Sequence, residues 1–209
     1  MNNLNFASKE EVAEKLDKIF AALPQDAQHS LKQISSSLYL SSKGELSPGL
    51  KNSLILLENI CSCKLNLDSK NNPFFSDLSN LSQNEISYLI ETIDNIHQNI
   101  IKSRIADILW IYGSPRNKNY LDMAINSYIS LNIDNNFHEQ DIYASWERAA
   151  VLSVSTKTLI NKVKYKLLKE IINSSRNWDF HLLRIIEIFS KTDLSRNLHY
   201  RFAERLLEK

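Results

Sequence analysis

Glycine and proline are scarce: the 209 residues include only three Gly and four Pro. Tight turns draw on both, so few of them argues against strand-rich folds and for long elements joined by short polar loops. Cysteine occurs only twice, in "CSC" at Cys61 and Cys63. Residues two apart are poorly placed to bridge, and no further cysteine completes a zinc quartet. Reduced thiols and a cytoplasmic location are the expectation. No apolar run approaches the ~20 residues that span a bilayer. The opening "MNNLNFASKEEVAEKL" lacks the basic start and apolar stretch of a secretory signal. Charge of one sign is not in excess either: the net charge is +1, which gives no global attraction for nucleic acid or anionic lipid. There is no Gly-rich phosphate loop and no Ser elbow flanked by Gly. His97 and His138 have no second ligand at metal spacing. No metal, cofactor or membrane association is expected.

What the chain has is helical periodicity and enough apolar mass, 43% of residues, for a sizeable core. Val12, Leu16, Ile19 and Phe20 recur at helical spacing over 8–22, with Ser8 as N-cap, Glu11 closing a capping box and Pro24 as the stop. Helices are predicted over 26–40 and over 48–62, the latter with Pro48 in its first turn. Residues 64–82 read as a loop around a short apolar anchor, Phe74, Phe75 and Leu78. From Ser82 a capping box leads a stripe of Ile86, Leu89, Ile90, Ile93 and Ile96. The helix bends near 95–99 and resumes to Trp110, ended by Gly113 and Pro115. Further helices follow over 119–131, 141–154, 157–174, 179–190 and 194–207. The reading is all-α: stacked antiparallel, repeat-like helical hairpins behind an irregular helical amino-terminal part. Residues 1–72 form an amino-terminal subdomain and 73–209 the hairpin domain. A weak internal echo sets an arginine before an apolar or small pair at Arg104, Arg148 and Arg184.

The stretch "IIKSRIADILWIYG", 100–113, places Arg104 inside an apolar arc of about 180° on a helical wheel. An unpaired guanidinium there would cost several kcal/mol, so it needs a partner. Asp107, three residues on, is the local candidate, with Asp141 or Glu147 available from the next hairpin. Arg104, Asp107 and Trp110 are therefore read as a structural clamp that fixes helix register. The competing reading is an anion site, with Arg104 facing a groove and binding phosphate or carboxylate.

The segments "PFFSDL" (73–78), "RIADILW" (104–110), "AINSYISL" (124–131) and "WERAAVL" (146–152) resemble a bacterial family of uncharacterised function. In that family a helical amino-terminal domain carries an R-φ-A-D-φ-φ-W signature, and a separate carboxy-terminal domain carries an HEPN-like Arg-Asn-x-x-x-His-Gly motif. The similarity covers roughly residues 70–209 and implies a helical domain. With its end at Lys209, the chain is expected to be without the second domain. Richness in Asn, Lys, Ile and Ser agrees with a bacterial source.

One motif suggests chemistry. "RNWDFH", Arg176 to His181, has the R-x4–6-H form of HEPN ribonucleases. In those enzymes His serves as general acid or base and Arg stabilises charge on phosphate, which would make a toxin or phage-defence effector. Leu182 stands where the family has Gly, so a helix-start reading, with Asn177 or Asp179 as cap, is favoured. Lys162, Lys166 and Lys169 form a basic face opposite Val163, Leu167 and Ile171; it reads as a solvated surface rather than an RNA patch. The function expected is that of a non-catalytic interaction or scaffold domain docking another protein or a second copy of itself. The alternative is a metal-independent HEPN-type ribonuclease using Arg176 and His181, with nucleic acid as partner in that case alone.

Overall fold

A computed structural model describes residues 4–28, 30–65, 75, 78, 81–131, 138–173 and 180–190. Among these residues there are nine α-helices and a single 3₁₀ turn, and no strand beyond an isolated bridge between Leu65 and Phe75. The helices are α1 (Lys9–Ala22), α2 (Leu31–Ser42), α3 (Pro48–Ser62), α4 (Gln83–Thr92), α5 (Asn99–Tyr112), α6 (Lys118–Ile129), α7 (Glu139–Thr156), α8 (Ile160–Asn173) and α9 (Phe180–Ser190). The fold is all-α and built from packed helix pairs, as the sequence predicts. None of the described helices is long and apolar enough to cross a membrane. The helix predicted over 194–207 lies outside the described residues.

Local chemistry sets most of the helix starts. The Ser8 side chain accepts the Glu11 N–H, and Ser47 accepts that of Leu50 just ahead of Pro48 at the first turn. Ser82 and Glu85 form a reciprocal capping box on α4, which satisfies two donors that a helix start otherwise leaves open. Glu11 does not close the box expected on α1; its carboxylate accepts from the Ser47 hydroxyl at 3.4 Å. α2 begins later than predicted because residues 25–28 turn and Ser30 is its cap. The expected bend between α4 and α5 is the 3₁₀ turn Ile93–Asn95.

The elements pack in sequence. α2 lies on α3 and α5 on α6, while α7 touches α6, α8 and α9. α1 packs against α2, α3 and α4. One hydrophobic core runs through all of them, taking in Leu16, Ile34 and Leu57 as well as Ile105, Tyr128, Trp146 and Phe189. Side chains from both sides of residue 72 therefore share it. Each such Leu or Ile contributes about 1.5–3 kcal/mol when removed from water.

α5 is the central helix: Ile100, Ile101 and every residue from Ser103 to Leu109 are buried. It contacts α3, α4 and α6, so polar side chains on it face other helices whichever way they point. Near the amino terminus, Gly49 allows residues 6–7 to lie across α3. A Cβ there would sit 3.1 Å from the backbone of Phe6 and Ala7. The Ser53 hydroxyl accepts the Ala7 N–H, and Phe6 stacks on Tyr88 at 4.4 Å.

Candidate functional site

The three arginines aligned by the internal echo all lie on odd-numbered helices, and each reaches back to the preceding one. On α9, Arg184 Nε stands 2.8 Å from Glu147 Oε1 of α7. On α7, Arg148 grips Asp107 of α5 bidentately, Nε to Oδ2 and Nη2 to Oδ1, both at 2.6 Å. On α5, Arg104 Nη1 donates to the carbonyls of Ile60, Cys61 and Cys63, at 3.1, 3.4 and 2.5 Å, at the end of α3. The result is a ladder of guanidinium contacts that links α9, α7, α5 and α3.

Each rung answers a burial problem. Arg148, Asp107 and Glu147 are fully buried and Arg104 is 5% exposed, so every charge must meet an opposite charge or an oriented dipole. Asp107 also accepts from the Tyr128 hydroxyl of α6 at 3.1 Å, so α5, α6 and α7 meet at one carboxylate. Burial first, and then the Asp107 charge beside it, hold the Tyr128 phenol well above its usual pKa. Glu147 takes a second partner, His181, whose Nδ1 lies 2.5 Å from Oε2.

The expected pairing of Arg104 with Asp107 does not form. Residues three apart on a helix diverge by about 60° around its axis; here Arg104 faces the end of α3 while Asp107 faces α6 and α7. Arg104 meets the open carbonyls that close α3, which carry the negative end of that helix's dipole and suit a cation. The other two acids considered for it are engaged elsewhere: Asp141 accepts the Leu31 N–H at the start of α2, and Glu147 binds His181 and Arg184. Trp110 stands apart from the ladder, half-buried, with the Arg116 guanidinium 5.5 Å from its ring centre. Trp146 is fully buried and donates its indole N–H to the Leu131 carbonyl.

Of the other predicted positions, Lys162 donates to Asn126 of α6 at 2.6 Å, Lys169 is exposed and Lys166 half-buried, while Val163, Leu167 and Ile171 point inward. Lys164, not singled out from the sequence, is buried. Arg176, Asn177 and Asp179 lie outside the described residues. Cys61 and Cys63 are buried and form no disulfide, and desolvation pushes the Cys61 thiol up to about 12. No group of three or more His, Cys, Asp or Glu side chains able to hold a metal occurs among the described residues.

Where the ladder ends on α3, a groove of about 670 Å³ opens between the start of α2, the end of α3, the start of α7 and α9. Lys32, Cys63, Lys64, Arg104, Asp141 and His181 line it. Arg104 and His181, separate candidates in the sequence, thus border one cavity. The partnership of Asp107 with Arg148 was missed because the two are 41 residues apart; the echo of buried arginines was its one signal.

No curated protein and no solved structure matches the chain. A family model described as a domain of unknown function (DUF7380) matches residues 6–161, and the described fold from α1 to the start of α8 lies within that span. The chain belongs to this family of domains of unknown function.

Proposed function

We propose that the protein is a non-catalytic helical interaction domain of the bacterial cytosol, docking another protein or a second copy of itself. One observation carries the reading: the ionisable residues of "RIADILW" and "WERAAVL" are spent on joining helices. Arg104, Asp107, Glu147 and Arg148 are at most 5% exposed, and each contacts a different helix from its own. Such a network favours a stack held in fixed register, which suits a docking surface. α9 offers one: Phe180 and Leu183, one turn apart, are 62% and 49% exposed. Buried thiols outside any disulfide and the lack of a membrane-spanning helix among the described residues agree with a cytosolic setting. The test compares wild type with Phe180→Asp/Leu183→Asp by light scattering and by partner capture. Self-association or capture should vanish in the variant at unchanged melting temperature; a variant that associates like wild type refutes the role of this face.

A second reading, HEPN-type ribonuclease, is favoured by one contact. A fully buried carboxylate, Glu147, holds Nδ1 of His181, and such a partner orients an imidazole for general acid or base work. This reading requires RNA cleavage by pure protein, abolished by Arg176→Ala and by His181→Ala. Intact RNA after prolonged incubation with wild type ends it.

A further inference from the structure

Arg104 uses only one of its three nitrogens on the end of α3. All three carbonyl contacts go to Nη1. Nη2 and Nε donate to nothing among the described residues, yet neither is a sealed, unsatisfied atom. The guanidinium lines the groove, so that edge is available to an acceptor there. The side chain is 5% exposed, and its position is fixed by the carbonyls behind it and the Phe75 ring, whose centre is 6.0 Å from Cζ. A paired N–H edge held in this way matches two oxygens of an oxyanion.

The rest of the groove narrows the class of anion. Lys32 is exposed at its rim and makes no ion pair among the described residues, and Lys64 adds a third cation to the lining. Among the described residues that line it, the one carboxylate, Asp141, is turned to the Leu31 N–H at 2.9 Å. Arg104 and Lys32 together match a dianion better than a single carboxylate charge. The volume of about 670 Å³ falls in the range of small-ligand sites and leaves room for an organic body beyond the anionic group. A net charge of +1 gives no broad basic field for a long polyanion.

We infer that this groove binds a small phosphomonoester of nucleoside-monophosphate size, its phosphate clasped between the open edge of Arg104 and Lys32. The inference goes beyond the interaction role: the α9 variants address that role without touching this groove's cations.

Calorimetric titration of the full chain tests it, with AMP, inorganic phosphate, adenosine, acetate and a short single-stranded RNA as probes. AMP should bind saturably, with adenosine and acetate at least tenfold weaker and inorganic phosphate between them. Lys32→Glu, at an exposed position, should weaken AMP at least tenfold with an unchanged melting temperature. Arg104→Lys, which keeps the charge and loses the paired edge, should also weaken it; because that change touches the α3 end, the Lys32 variant carries the decision. Absence of AMP binding overturns the inference, as does equal affinity for adenosine or acetate, equal AMP affinity in Lys32→Glu, or RNA binding without mononucleotide binding.

Discussion

Breaking the Arg148–Asp107 rung from either side should be among the most damaging changes available in this chain. Both side chains are fully buried and joined by two hydrogen bonds of 2.6 Å, with Tyr128 completing the carboxylate's shell. Arg148→Met leaves Asp107 as a buried anion with one neutral donor; Asp107→Leu leaves a buried guanidinium. Removing one partner of such a pair costs about 3–5 kcal/mol, mainly through the stranded charge. For a chain of this length each kcal/mol moves the melting temperature by roughly 2–4 °C, so each single variant should melt about 6–20 °C lower. The intact pair adds much less than that figure, because its formation also costs desolvation.

The triple variant Asp107→Leu/Arg148→Met/Tyr128→Phe separates the two quantities. It removes the carboxylate, the guanidinium and the phenol hydroxyl together, so the cost is chiefly repacking, about 1–3 kcal/mol. Urea and thermal melts followed by circular dichroism at 222 nm give all the values. The triple should be more stable than either single variant, its loss at least ~2 kcal/mol smaller than the two single losses added together. Singles that cost less than ~1 kcal/mol, or a triple as unstable as the singles added together, would refute the argument that the ladder is held by mutual neutralisation.

Three further outcomes follow from the same geometry. Stability should fall at alkaline pH. Cys61, raised from 9.0 to about 12, and Tyr88, raised from 10.0 to about 12, both keep their protons longer folded than unfolded. Their contribution is complete below the unfolded values and is lost between about pH 9 and 12, at up to about 1.4 kcal/mol per pH unit for each group. Chemical denaturation across that range should show the slope, and Cys61→Ala should remove its earliest part. Lys157 closes α7 with φ 55°, a left-handed conformation that costs a side-chain-bearing residue about 1 kcal/mol; Lys157→Gly should raise stability by about that much in urea melts. Arg184→Ala should cost more than an exposed ion pair would, about 2–3 kcal/mol, because Glu147 keeps only His181; a loss under ~0.5 kcal/mol, as for a surface pair, would contradict it.

Helices were legible wherever the signal was local. α3 is predicted over 48–62 and forms at Pro48–Ser62 because Ser47 and Pro48 mark its start unambiguously. Ser82 with Glu85 did the same for α4. The start of α8 slipped because Lys157 and Leu159 both adopt φ 55°. Such conformations are expected of glycine, and neither residue type announces them. Gly113, by contrast, ends α5 with φ −64°, which any residue adopts; what it supplies is a missing Cβ, which would collide with the Leu109 carbonyl oxygen. The wheel over 100–112 found an arginine among apolar residues, but α5 is buried on nearly every side; periodicity loses its meaning on a helix with no solvent face.

The partners of the buried charges were harder to read, for two different reasons. Arg104 is neutralised by main-chain carbonyls, and every residue carries a carbonyl, so no letter of the sequence marks those at the end of α3. A search among acids could therefore only misassign it, and Asp107 was the nearest acid. Asp107 and Arg148 do have letters, and their match was hidden only by distance along the chain. The echo supplied the missing constraint. If equivalent arginines recur on successive hairpins, each should reach the same neighbour in its own stack, and Arg184 to α7, Arg148 to α5 and Arg104 to α3 follow that rule. At the last rung the acceptor changes from carboxylate to helix end. There one edge of the guanidinium is left without a protein acceptor among the described residues, so the place where the repeat loses its acid is also where a ligand's anion fits.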